Sequence, residues 1–86
     1  MIKITRFTAE WCQPCKALAP IMNDIQNEQQ GVMFETIDVD QNKDAVSLYK
    51  VSSVPTVVIT KNGTEVTRFT GIKPKAAIHN LINQYK

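Results

Sequence analysis

The apolar positions fall into short stretches whose spacing changes along the chain. Ile2, Ile4 and Phe7 stand among threonines and charges over Ile2–Ala9, which predicts a short strand. From Cys15 the spacing lengthens. Leu18, Ile21, Met22 and Ile25 recur at i, i+3, i+4 and i+7, one apolar stripe of a helix that reaches Gln29 and is closed by Gly31. Val32–Val39 is β-rich and predicts a second strand. Asp40-Gln41-Asn42 is a turn with a helix N-cap candidate, and Lys43–Lys50 carries Val46 and Tyr49 on one side, a short helix. Val57-Val58-Ile59 is a continuous apolar run, the pattern of a strand covered on both faces. Lys61-Asn62-Gly63-Thr64 centres on Asn-Gly, a strong hairpin signal, so Glu65–Thr70 is the returning strand and Gly71 breaks it. Pro74 suits the first turn of a last helix, on which Ile78, Leu81, Ile82 and Tyr85 repeat the helical spacing.

The predicted order is β-α-β-α-β-β-α. Its first β-α-β requires a parallel pair joined by a right-handed crossover, and its hairpin requires an antiparallel pair. The expectation is an α/β fold: a mixed four-stranded sheet flanked by three helices, with helices on both faces. Length agrees, since 86 residues fit one domain over 1–86 and bury a modest core. The composition, 43% hydrophobic and 21% charged, is that of an ordinary globular domain. A net charge of +2, spread without blocks, gives no reason to expect a nucleic-acid partner or an acidic membrane surface. Met1–Arg6 has neither a long apolar core nor a small-residue cleavage site, so no signal peptide and no membrane span are expected. A cytoplasmic location follows as the expectation, and there cysteines stay reduced, which disfavours a purely structural disulfide.

Candidate chemistry rests on Cys12-Gln13-Pro14-Cys15. Cys12 follows the first predicted strand and opens the first long helix. The first turn of a helix presents unpaired N–H groups and the positive end of the helix dipole, which stabilise a thiolate. The thiolate is the attacking species in thiol–disulfide exchange. Cys12 is therefore the candidate nucleophile, and Cys15, three residues on, is placed to resolve a mixed disulfide. Pro14 is tolerated in a first turn, where its missing N–H would be unpaired anyway, and it stiffens the Gln13-Pro14 loop.

Ala9-Glu10-Trp11-Cys12-Gln13-Pro14-Cys15-Lys16 resembles the active-site motif of thioredoxins, commonly Trp-Cys-Gly-Pro-Cys-Lys. Thioredoxins are themselves a standard instance of a lowered cysteine pKa. Pro20 resembles the kink proline of the family's active-site helix, and Val54-Pro55-Thr56 its cis-proline loop. Lys61-Asn62-Gly63 and Gly71 resemble its later glycine positions. The matches run in order over nearly the whole chain. The resemblance implies a protein-disulfide reductase of thioredoxin fold, regenerated by an NADPH-dependent thioredoxin reductase. It also implies substrate contacts at Trp11, Val54, Pro55 and Gly71, with a cis bond before Pro55.

Three departures stand out. The chain lacks the strand and helix with which thioredoxins commonly begin, and is nearer in size to glutaredoxins and to small thioredoxin-like proteins. Arg6 occupies the place of the family's buried Asp, and Thr36 that of its partner Lys. The proton of Cys15 would then pass through water or a group such as Glu10. An Arg6 cation within about 6 Å of the sulfurs would favour thiolate and make the pair more oxidising. The alternative is that Arg6 reaches solvent or pairs with Asp38 on the neighbouring strand.

A glutathione-dependent glutaredoxin is disfavoured by Trp11 before Cys12, by Pro14 second in the pair, and by Gly71 standing alone where glutaredoxins carry Gly-Gly. A thioredoxin-fold binding subunit would survive loss of both cysteines. No metal is expected, because one CxxC supplies two ligands and structural zinc takes four. No cofactor of the chain's own is expected, there being no GxGxxG fingerprint. The expected partners are disulfide-containing protein substrates and the reductase, with the chain itself a monomer. Trp11 is expected as an exposed aromatic, Lys16 as a solvated charge, His79 as a surface residue, and Met22 and Met33 as core filler.

Overall fold

A computed structural model describes all 86 residues. The strands are β1 (Ile2–Thr8), β2 (Val32–Asp38), β3 (Thr56–Lys61) and β4 (Thr64–Thr70); the helices are α1 (Gln13–Glu28), α2 (Lys43–Tyr49) and α3 (Lys75–Tyr85). They follow the predicted order β-α-β-α-β-β-α, in one mixed sheet of order β2-β1-β3-β4. β1 runs parallel to β2 and antiparallel to β3, and β3 runs antiparallel to β4. No helix is long and apolar enough to cross a membrane.

Alternation along β1 splits the core in two. Ile2 and Ile4 face α1 and α3, joining Leu18, Met22 and Ile25 of α1, Val57, Ile59 and Phe69 of the sheet, and Ile78 and Ile82 of α3. Phe7 faces the other way, where Ile37 and Val58 close a smaller cluster beneath Val46 and Tyr49 of α2. β3 is buried from Thr56 to Thr60, as a strand sandwiched between helices must be.

Local sequence explains the boundaries. Cys12 is the N-cap of α1, and Pro14 lies in its first turn, where no N–H is missed. Pro20 sits inside α1 with its ring exposed and withdraws the donor that Lys16 carbonyl would otherwise use. Asn42 caps α2 by accepting the Ala45 N–H at 3.1 Å. The β3–β4 hairpin turns through Asn62 and Gly63, at φ 53° and 85°, the pair of positive angles that a two-residue type I′ turn needs.

One expectation is corrected here. Met33 is not core: it is 54% exposed, whereas Met22 is buried. The register pairs Met33 with Lys3, so both lie on the α2 side of the sheet. The last residues of α2, Leu48 and Tyr49, border that end of the edge strand β2 without covering it. Met33 instead lines an open groove with Met1 and Leu48.

Candidate active site

The carboxyl end of β1 delivers the chain to Ala9, whose carbonyl accepts the Cys12 N–H at 3.2 Å. That turn sets Cys12 at the head of α1. Cys12 and Cys15 are joined as a disulfide, with Cα atoms 5.3 Å apart. The Cys15 N–H points at Cys12 Sγ across 3.2 Å, a free first-turn donor aimed at sulfur. Cys15 is 1% exposed and Cys12 4%. The pair packs with Ala9 against Val39 and Val54, so the sulfurs sit in an apolar setting.

The other predicted site residues converge here. Val54 carbonyl oxygen lies 3.7 Å from Cys12 Sγ, a separation at which the reduced thiol donates to it. The Val54–Pro55 bond is cis, and Pro55 is buried. Gly71, at φ 80°, gives its N–H to the Pro55 carbonyl at 3.0 Å, which brings the end of β4 against the same loop. Trp11 is 67% exposed beside Cys12, as expected of a surface aromatic. Gln13 and Pro14 are exposed in the four-residue ring.

Sequence reasoning missed Asp40. Its Oδ2 accepts the Trp11 Nε1–H at 2.8 Å and so fixes the indole beside the cleft that Val54 also lines. The available signal was topological. Parallel strands β1 and β2 end together, with Thr8 opposite Asp38, so residues just beyond each strand become neighbours.

Arg6 does not pair with Asp38. The parallel register sets it opposite Thr36, whose Oγ1 accepts from the guanidinium at 3.3 Å. Burial lowers the Arg6 pKa from its usual value, and the group remains a cation at any physiological pH. The recess it lines includes Met22, Asn23 and Gln26, about two turns along α1 from Cys15. The geometry therefore shows no contact through which Arg6 would stabilise a sulfur anion. The positions of the family's acid and lysine are filled by a pair bonded to each other.

His79, expected at the surface, is held there by hydrogen bonds. It is half-buried between α1 and α3, with Nε2 2.9 Å from Glu28 Oε1 and Nδ1 2.9 Å from Gln29 Nε2. No three His, Cys, Asp or Glu side chains converge as a metal site.

A paired CxxC at the junction of a strand and a helix, facing a Val-Pro loop, defines a dithiol–disulfide oxidoreductase. Known proteins agree. The family model for thioredoxin matches residues 2–84. A thioredoxin of Chlamydia pneumoniae is 42% identical over 79 residues, covering 92% of this chain and 78% of that protein. One of Bacillus subtilis is 35% identical over 85 residues, covering 98% and 82%. The X-ray structure of Fasciola hepatica thioredoxin superposes with a TM-score of 0.92 at 36% identity, covering 99% of this chain and 81% of that one. The chain belongs to the thioredoxin family. It is a thiol–disulfide oxidoreductase acting on protein disulfides, with Cys12 and Cys15 as its redox-active pair.

Proposed function

We propose that residues 1–86 work as one thioredoxin-like domain that reduces protein disulfides in the cytoplasm, as a monomer. Cys12 attacks a substrate disulfide and forms a mixed disulfide. Cys15 then attacks Cys12 sulfur, which releases the substrate as a dithiol and leaves the Cys12–Cys15 bond. A thioredoxin reductase returns two electrons from NADPH. The observation that carries this assignment is the Cys15 N–H directed at Cys12 Sγ from the first turn of α1. A hydrogen bond to the charged form, together with the helix's positive end, favours the thiolate at that sulfur. Cys15 has no such donor in view and is the more enclosed of the two.

We assign Trp11, Val54, Pro55 and Gly71 to the substrate chain: Val54 meets Cys12 Sγ through its carbonyl, Trp11 adjoins Cys12, and Gly71 is bonded to Pro55. Val54 offers backbone groups along an extended peptide, and Trp11, held by Asp40, offers a flat apolar surface. Gln13 and Pro14 form the loop that closes the ring.

Insulin reduction tests the assignment, with thioredoxin reductase/NADPH and glutathione/glutathione reductase supplied in turn. Turnover is expected with the first donor. Cys12→Ser is expected to fall to background, and Cys15→Ser to accumulate a mixed disulfide through Cys12. Undiminished insulin reduction by the double serine variant would remove the proposal.

A further inference from the structure

Beside Cys12 the surface dips into a cleft of about 260 Å3. Half-buried Val39, Val46, Val51 and Val54 supply its apolar part, and exposed Trp11, Asp40 and Lys43 border it. Val54 also reaches Cys12 Sγ through its carbonyl, so one wall of the cleft touches the sulfur.

The two charges on the border are not equivalent. Asp40 keeps its negative charge, but its carboxylate is tied in place by the indole of Trp11 at 2.8 Å. Lys43 takes part in none of the chain's four ion pairs. It is also the first residue of α2, where a cation opposes the positive end of its own helix. A lysine in that place weakens α2 and has no partner within the chain to offset it. Its charge is free to act on whatever occupies the cleft.

We infer that Lys43 selects among disulfide substrates by charge, favouring those with an acidic residue close to the target cysteine. The inference rests on the proposed reading that the bound chain runs along Val54 and Trp11. In an extended chain, residues two apart share a face. A carboxylate two residues from the attacked cysteine therefore lies on the side of the cleft, within reach of a flexible lysine. A border charge of this kind acts mainly on association and fades as salt screens it.

The test uses the prereduced protein and cyclic peptides with one internal disulfide, carrying Glu, Gln or Lys two residues to either side of a cysteine. In each reaction the two protein thiols give two electrons and two protons to the peptide disulfide. The peptide becomes a dithiol as the Cys12–Cys15 bond forms. Second-order rate constants are read by acid quench and mass analysis, each divided by that variant's rate with the uncharged hydroxyethyl disulfide. The wild type is expected to react roughly three- to tenfold faster with the Glu peptide than with the Lys peptide at low salt. The ratio is expected to approach one in 0.5 M salt, to vanish in Lys43→Gln and to invert in Lys43→Glu. A Lys43→Glu variant that keeps the wild-type ratio overturns the role of Lys43 alone. A wild type inert towards hydroxyethyl disulfide overturns the underlying redox reading instead.

Discussion

The two faces of the sheet use the same alternation to different ends. Towards α1 and α3, every buried side chain of the sheet is hydrocarbon: Ile2, Ile4, Val57, Ile59 and Phe69. Towards α2, Phe7, Val58 and Ile37 share the surface with buried Thr5, Thr56 and Thr60. Cover differs as well, with helices of 16 and 11 residues on one face and one of seven, without a buried residue, on the other. The first face packs α1 behind the cysteines through Leu18, Met22 and Ile25. The second, thinner and more polar, forms the cleft proposed to take side chains of a substrate. Precision at the sulfurs and tolerance beside them are thus built on opposite sides of one sheet.

The largest expected effect probes the first face. Leu18 is fully buried in the stripe that anchors α1, one turn beyond Cys15. Leu18→Ala removes buried carbon and leaves a cavity that rigid neighbours fill only in part, at about 2–5 kcal/mol of stability. Urea unfolding measures it. A cost under about 1 kcal/mol would mean that the α1 side can collapse around a void, and the contrast between the faces would fail.

Thr5 probes the second face and should act in the opposite direction. Its hydroxyl is buried without a hydrogen-bond partner, while Thr56 donates to Ser53 carbonyl at 2.7 Å. A buried polar group left unpaired carries its full desolvation penalty, so Thr5→Val, which preserves shape, should stabilise the protein by about 1 kcal/mol. The same urea experiment decides. Destabilisation would show that the hydroxyl is satisfied in solution and that this face is less polar in effect than its composition indicates.

The sequence was informative wherever a structural choice is local. The α1 stripe, the run Val57-Val58-Ile59 and the Asn62-Gly63 turn each declare their own periodicity or backbone angle, and the elements follow within a residue or two. The cysteine pair was legible for the same reason, since its spacing is the chemistry. What escaped depends on register and cover. Arg6 meets Thr36 rather than Asp38 because parallel pairing fixes its neighbour, and a charge search along the strand does not see that. Met33 has a core residue's chemistry but lies in an open groove that α2 borders and does not cover. Asp40 could be found as Trp11's partner only after two strands were known to end together.

The smallest expected effect concerns the far end of the rigid face, where α1 meets α3. Glu28 ties the two helices, accepting from Lys75 at 2.8 Å and lying 2.9 Å from His79. The Gln29 amide also donates to Asn83, so its nitrogen is the donor towards His79 Nδ1 as well, and the ring proton is left on Nε2 to face Glu28. The bond from Lys75, then that from His79, lowers the Glu28 pKa below its ordinary 4.5. A carboxylate with a depressed folded pKa stabilises the fold fully above its unfolded value. That contribution is lost as pH falls through the folded value. Glu28→Gln should therefore lower Tm slightly at pH 7, and the gap from wild type should close as the pH is taken from 5 towards 3. Exposure and salt screening keep the gap small, and added salt should shrink it further. A gap independent of pH would mean that the helices are joined there by packing alone, and that charge plays no part in holding α3 to the back of the active-site helix.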